Sequence, residues 1–167
     1  MTHTKPILVL ALFALALSLA AATSGSISLS GATPVILDIT VTAEAAASSL
    51  PLNTTVTDLK VGTVVERSNK KAGYTVTISS ANAQSSGSLS PSLRSAQTSD
   101  FLPYSIKYGG VSVNFNAGGT AALVSSVTGK TAAAGTSNTV TISFDGSSKF
   151  LDEAPYSDTL TFTIIAK

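Results

Sequence analysis

From Val35 to the C-terminus, apolar side chains recur at every second position in one short run after another. Val35, Leu37, Ile39 and Val41 form one set, Val61, Thr63 and Val65 another, and Tyr74, Val76 and Ile78 a third. Tyr104, Ile106 and Tyr108 follow, then Val111, Val113 and Phe115, then Val140, Ile142 and Phe144. The last set is Leu160, Phe162 and Ile164, separated by Thr161 and Thr163. A period of two puts alternate side chains on one face of an extended strand, whereas a helix requires a period near 3.6. Apolar residues on one face and mostly Ser or Thr on the other mark antiparallel strands with one wet face.

Turn residues separate the sets. Gly109-Gly110 reads as a tight hairpin, and Asp145-Gly146-Ser147-Ser148 as a second turn. The segments 85–91 and 128–137 are polar and small, and read as loops. Glu44 to Ser48 is the one stretch read as a helical turn, and it is too short to stand alone. About eight short strands with regular turns predict an all-β sandwich or barrel. Its expected core holds Val35, Leu37, Ile39, Val61, Tyr74, Val76, Ile78, Ile106, Val140, Ile142, Leu160, Phe162 and Ile164. Tyr104 and Tyr108, on the face of Ile106, read as core before they read as a sugar-stacking platform.

Ahead of the strands, Lys5 precedes an unbroken apolar run from Ile7 to Ala22 that ends in Ala20-Ala21-Ala22. A basic start, an apolar run and small residues at its end describe a secretory signal. The run falls short of the roughly 20 residues of a membrane span. The expected organisation is a signal peptide over 1–22 and a single domain over 23–167. The expected destination is the periplasm, the cell surface or the medium, with no stable membrane span after processing. The absence of Cys means that such a domain holds together by packing and strand pairing alone.

Charge and side-chain chemistry narrow the function. Lys and Arg number ten, nine once Lys5 is set aside, against nine Asp and Glu, so the domain is close to neutral. Neutrality gives no electrostatic case for nucleic acid. The single His is His3, inside the expected signal. A Ser-His-Asp triad, a thiol nucleophile and a His or thiolate metal site are therefore all missing from residues 23–167. Carboxylates remain, and a glycosidase needs a pair of them across the scissile bond. Without Trp platforms that reading is weak, and the expectation is a protein that is not an enzyme and carries no cofactor. Asp152, Glu153 and Asp158 supply oxygen atoms that suit calcium, in a spacing that matches no calcium loop, so they read as a solvated turn. Arg67, Lys70 and Lys71 read as a solvated hairpin loop, and Asn53-Thr54-Thr55 is a formal glycosylation sequon.

Four segments carry a family resemblance. Phe101-Leu102-Pro103-Tyr104-Ser105-Ile106-Lys107-Tyr108 resembles a strand of spore coat protein U domains. Ala154-Pro155-Tyr156-Ser157-Asp158-Thr159-Leu160-Thr161-Phe162-Thr163-Ile164 resembles their closing strand, which is also that of chaperone–usher pilins. Gly73 to Asn82 is similar to their central strand, and Gly25 to Gly31 to the N-terminal segment of pilin subunits. The resemblance implies an immunoglobulin-like antiparallel β-sandwich of about seven or eight strands, incomplete by one. It further implies a structural or adhesive subunit of a bacterial surface appendage or coat, assembled by β-strand addition. Its partners would be like subunits, a periplasmic chaperone and an outer-membrane usher. The donated segment would present Ile27 and Leu29, and the receiving groove would be bordered by Leu160, Phe162 and Ile164. The alternative is a monomeric exported β-sandwich that binds a glycan or a surface polymer.

Overall fold

The computed structural model describes residues 23–116 and 119–167, so the expected signal peptide at 1–22 lies outside the described residues. The chain divides into two units, Met1–Thr33 and Pro34–Lys167. Of the first, the described residues 23–33 form neither strand nor helix, and all are exposed.

The second unit is an all-β antiparallel sandwich, as the alternation predicts. Ten strands lie in three sheets among the described residues. They are β1 (Leu37–Ala43), β2 (Thr55–Ser68), β3 (Tyr74–Ser80), β4 (Ser92–Arg94), β5 (Phe101–Pro103), β6 (Ser105–Tyr108), β7 (Val111–Ser112), β8 (Ala122–Val127), β9 (Thr136–Asp145) and β10 (Leu160–Ala166). The wider sheet has the order β1-β2-β9-β6-β7, and the narrower one β10-β3-β8. The pair β4-β5 closes one end, where Leu93 and Leu102 are buried. Between the sheets sit Val64, Tyr74, Val76, Ile78, Ile106, Tyr108, Val140, Ile142 and Phe144.

Period-two reading fails in β2. The sets above place Val61, Thr63 and Val65 inward, with Val64 and Glu66 outward. In the structure Val64, Glu66 and Ser68 are buried, and Thr63 and Val65 are only half-buried. The cause is the second of two register shifts against β9, between Lys60 and Gly62, the first lying between Val56 and Leu59. Asp58 takes a positive φ of 50° at the first. An extra residue on one strand flips every later side chain to the opposite face. Val35 departs too. It precedes β1 and is 66% exposed. A helix missing from the sequence reading also appears, α1 (Ala81–Ser86). The Ser80 hydroxyl accepts from Ala83 N at its start, and Gly87 ends it in the left-handed region. The expected turn near Glu44 is present as a short 3-10 helix, Ala45–Ser48.

Glu66 is fully buried, and the two sheets are joined through it. Its Oε1 accepts from the Tyr108 hydroxyl and from Asn138 Nδ2 at 3.1 Å. Its Oε2 accepts from the Tyr74 hydroxyl at 2.8 Å and from Ser125 Oγ at 3.1 Å. Tyr108 and Asn138 belong to the wider sheet, Tyr74 and Ser125 to the narrower one. Four donors on two oxygens suit an ionised carboxylate, which is acceptor-only. Among the described residues the ion pairs Lys60–Glu44 at 2.6 Å and Lys107–Asp58 at 2.8 Å are both well exposed and contribute little, on the order of 0–1 kcal/mol each. Gly73 allows the neighbouring hairpin to close, because a Cβ there would lie 2.0 Å from the Val127 carbonyl oxygen.

The buried carboxylate and the buried phenols each carry a prediction. Glu66→Gln places an amide N–H against one of the existing donors, and chemical denaturation should register a loss of about 2–4 kcal/mol. The second concerns alkali. Burial, and then the Glu66 hydrogen bond, push Tyr74 up to about 12. Burial and then Glu66 raise Tyr108, and burial and then Asp158 raise Tyr104. The folded state thus favours the neutral phenols. Their contribution is complete below the ordinary tyrosine value near 10 and is lost as pH rises above it. Thermal melts should show a midpoint that falls above about pH 10, as each such group withdraws roughly 1.4 kcal/mol of stability per pH unit. A midpoint flat to about pH 12 would contradict the burial of these phenols.

Candidate functional site

The two main sheets differ in width by two strands, five against three. On the flank where β1 edges one sheet and β10 the other, a groove of about 660 Å³ opens. Val41 and Ala43 of β1, Val61 of β2, and Val140 and Ile142 of β9 contribute one wall. Leu160 and Phe162 of β10 contribute the other, and Leu50 and Leu52 of the β1–β2 connection close the end. Val41 belongs to the inward-facing set of β1 yet is 50% exposed, because no strand covers it. The groove occupies the half of the sandwich nearest Leu160. Leu37, Ile39 and Ile164, in the other half, are half-buried and do not line it.

β10 pairs with β3 alone, in the register Leu160↔Ser80, Phe162↔Ile78, Ile164↔Val76. Ala81 N donates to the Thr159 carbonyl, and Lys167 N donates to the Gly73 carbonyl. In an antiparallel pair the N–H and C=O of one residue point the same way and alternate along the strand. The backbone groups of the odd-numbered residues therefore turn toward β3, and those of Leu160, Phe162 and Ile164 turn toward the unpaired edge, which β1 approaches without pairing. Leu160–Ala166 contains no charge and no Pro, the residues with which edge strands are ordinarily protected.

Asp158 fixes the start of this strand. Its Oδ2 accepts from Ser80 Oγ at 2.6 Å and from the Tyr104 hydroxyl at 2.7 Å. Its Oδ1 accepts from Asn82 N at 3.0 Å and Thr159 N at 2.7 Å. The carboxylate is thereby occupied by its own fold. Asp152 and Glu153, which the sequence groups with it, are exposed, and Asp152 N donates to Asp100 Oδ2 at 2.9 Å. No three His, Cys, Asp or Glu side chains gather to hold a metal ion among the described residues.

Of the residues singled out from the sequence, Leu160 and Phe162 do line a groove, while Ile164 packs beyond it. Ile27 and Leu29 lie on the exposed segment, 88% and 90% accessible. Tyr104 and Tyr108 are buried, as read. Val41, Leu50, Leu52 and Val61 complete the groove and were not singled out as a site. The signal available for Val41 was its place in an inward set on the first strand, where a flank lacks a neighbour. No protein-family model matches the chain, and no curated protein matches it. No helix among the described residues is long and apolar enough to cross a membrane.

Phe162 lies 6.0 Å from the Tyr108 ring, centroid to centroid, and its other side faces the groove. Phe162→Ala should destabilise the sandwich by about 2 kcal/mol, less than the roughly 3–5 kcal/mol of a fully enclosed phenylalanine. A loss above about 4 kcal/mol on urea denaturation would mean that the groove is closed in solution.

Proposed function

We propose that the protein is a non-enzymatic structural or adhesive subunit of a bacterial surface appendage or coat, assembled by β-strand addition into this groove. The observation that carries the reading is the unpaired, uncharged edge of β10 beside a trough whose walls are mainly apolar, with Asp158 and several Ser and Thr at its rim. Strand addition uses these two features together: main-chain hydrogen bonds supply affinity, and alternate side chains seated in the trough supply register. Two apolar positions on β10, Leu160 and Phe162, border the trough, and the exposed segment offers two apolar residues at the same spacing, Ile27 and Leu29. Burying two such side chains is worth roughly 1.5–3 kcal/mol each.

Chain direction favours a second molecule as the donor. β1 starts at the end of the sandwich where β10 finishes, since Leu37 pairs with Ser68 and Ala166 with Tyr74 across one short hairpin. A segment that leads into β1 of its own chain would have to lie parallel to β10. A segment from another molecule is free to lie antiparallel, the pairing that is more stable per residue. The resemblance to spore coat protein U domains and pilins points the same way, with like subunits, a periplasmic chaperone and an outer-membrane usher as partners, and with export to the cell surface.

Deletion of residues 23–30 tests the reading. The truncated protein should keep the strand-rich circular dichroism of the full chain and lose the polymers that the full chain forms on sizing. A wild-type protein that stays monomeric, and a truncation that unfolds it, would instead favour a monomeric sandwich that binds a glycan or surface polymer.

A further inference from the structure

The chain is nearly neutral overall, but its charges are divided between the two ends of the sandwich. At the end where β1 begins and β10 finishes lie the 69–73 hairpin, the 128–135 loop and the C-terminus. These carry Lys70, Lys71, Lys130 and Lys167, and no Asp or Glu side chain. Lys71, Lys130 and Lys167 are exposed and Lys70 is half-buried. Arg67 at the edge of this end stands opposite Asp38 in the β1–β2 register.

The opposite end, where β10 starts, has the reverse balance. The 87–100 and 145–159 segments carry Asp100, Asp145, Asp152, Glu153 and Asp158 against Arg94 and Lys149. Both of those cations are engaged locally: Arg94 lies 4.9 Å and Lys149 5.9 Å from the centre of the Phe101 ring. Hydrogen bonds from Ser147 and then Thr55 hold the Asp145 carboxyl down to about 2, so it is charged throughout the neutral range. Glu44, also at this end, is paired with Lys60. Within the acidic end Phe150 is fully exposed, beside a hollow of about 360 Å³ shared with Leu52 and Tyr156.

We propose that these two ends form a subunit–subunit contact, in which the acidic, Phe150-bearing end of one molecule receives the lysine-rich end of a second copy of the same chain. The inference rests on the strand-addition reading, and the direction of that strand selects the ends. A donated segment lying antiparallel to β10 has its later residues, 31–33, next to Leu160. The donor's own body, from Pro34 onward, then emerges at the acidic end of the receiver. Pro34 and Ile36 are tied to Asn69 beside Lys70, through Asn69 Nδ2 to the Pro34 carbonyl at 2.7 Å and Ile36 N to Asn69 Oδ1 at 2.8 Å. The donor therefore arrives with its lysine-rich end foremost. Such a contact is heterologous and propagates as an open fibre with one charge sense along its length. Opposed surface charges act mainly on encounter: they raise association rates at low salt and suppress wrong orientations.

Charge reversal at each end, singly and together, tests the contact, with assembly of the protein expressed as the full chain followed by light scattering. Lys70→Glu with Lys71→Glu should slow assembly on the order of tenfold at low salt, and so should Asp152→Lys with Glu153→Lys. An equimolar mixture of the two variants should form mixed polymers faster than either alone, because each restores one complementary junction. Raising the salt to about 0.5 M should slow the wild type and shrink these differences. Circular dichroism of each variant checks that the sandwich is intact. Polymers that form at unchanged rates in all variants and salts overturn the end-to-end contact and leave strand addition standing. A wild type that never polymerises overturns both.

Discussion

A buried carboxylate without a cation holds this sandwich together, and the rest of the architecture depends on it. Glu66 is an expensive group to remove from water, and it is tolerated because four neutral donors converge on it from both sheets. That requirement fixes more than energy. Tyr74, Tyr108, Ser125 and Asn138 meet one carboxylate only if β2, β3, β6, β8 and β9 keep a single mutual register. A chain with no disulfide and few aromatic residues thus gains, at one end of its core, a polar pin that specifies which strands face each other. Asp158 does the corresponding work at the other end. It gathers Ser80, Asn82, Tyr104 and Thr159, and so sets where β10 begins.

With both ends pinned, the mismatch in sheet width has nowhere to relax. Five strands over three leave inward-facing residues of β1 and β2 without a cover on one flank, and the result is a trough bordered by a bare strand edge. Edge strands are usually blunted by charge, Pro, bulges or a covering loop. β10, the edge strand that borders the groove, carries none of the first three: it has no charged residue and no Pro, and its pairing with β3 shows no register shift. Ile27 and Leu29 are exposed on a separate segment.

Much of the fold was legible because alternation is a local property. The sets around Tyr74, Ile106 and Val140 have the faces that their spacing predicts. The set at Val61 does not, because a bulge is set by the partner strand β9 and leaves no mark in the hydropathy of β2. For the same reason Glu66 read as a solvent-facing carboxylate, when its burial depends on partners up to 72 residues distant. The helix α1 was signalled by Ser80 and Gly87 as caps, but six residues of Ala, Asn, Gln and Ser have no apolar stripe to find. The groove was half legible. Leu160 and Phe162 stood out through their alternation, whereas Val41, Leu50 and Leu52 became part of a site only through the neighbour that their flank lacks.

The central claim is that the free edge of β10 accepts a strand from another molecule, and residue-resolved amide hydrogen exchange reads that edge directly. In the isolated chain the amides of Thr161, Thr163 and Ile165, turned toward β3, should exchange slowly, while those of Leu160 and Phe162, turned toward the groove, should exchange fast. In assembled material the Leu160 and Phe162 amides should become slow as well, by a factor on the order of a hundred or more, with the odd-numbered amides unchanged. Leu160 and Phe162 amides that exchange equally fast before and after assembly would show that nothing pairs with β10, and would contradict the account.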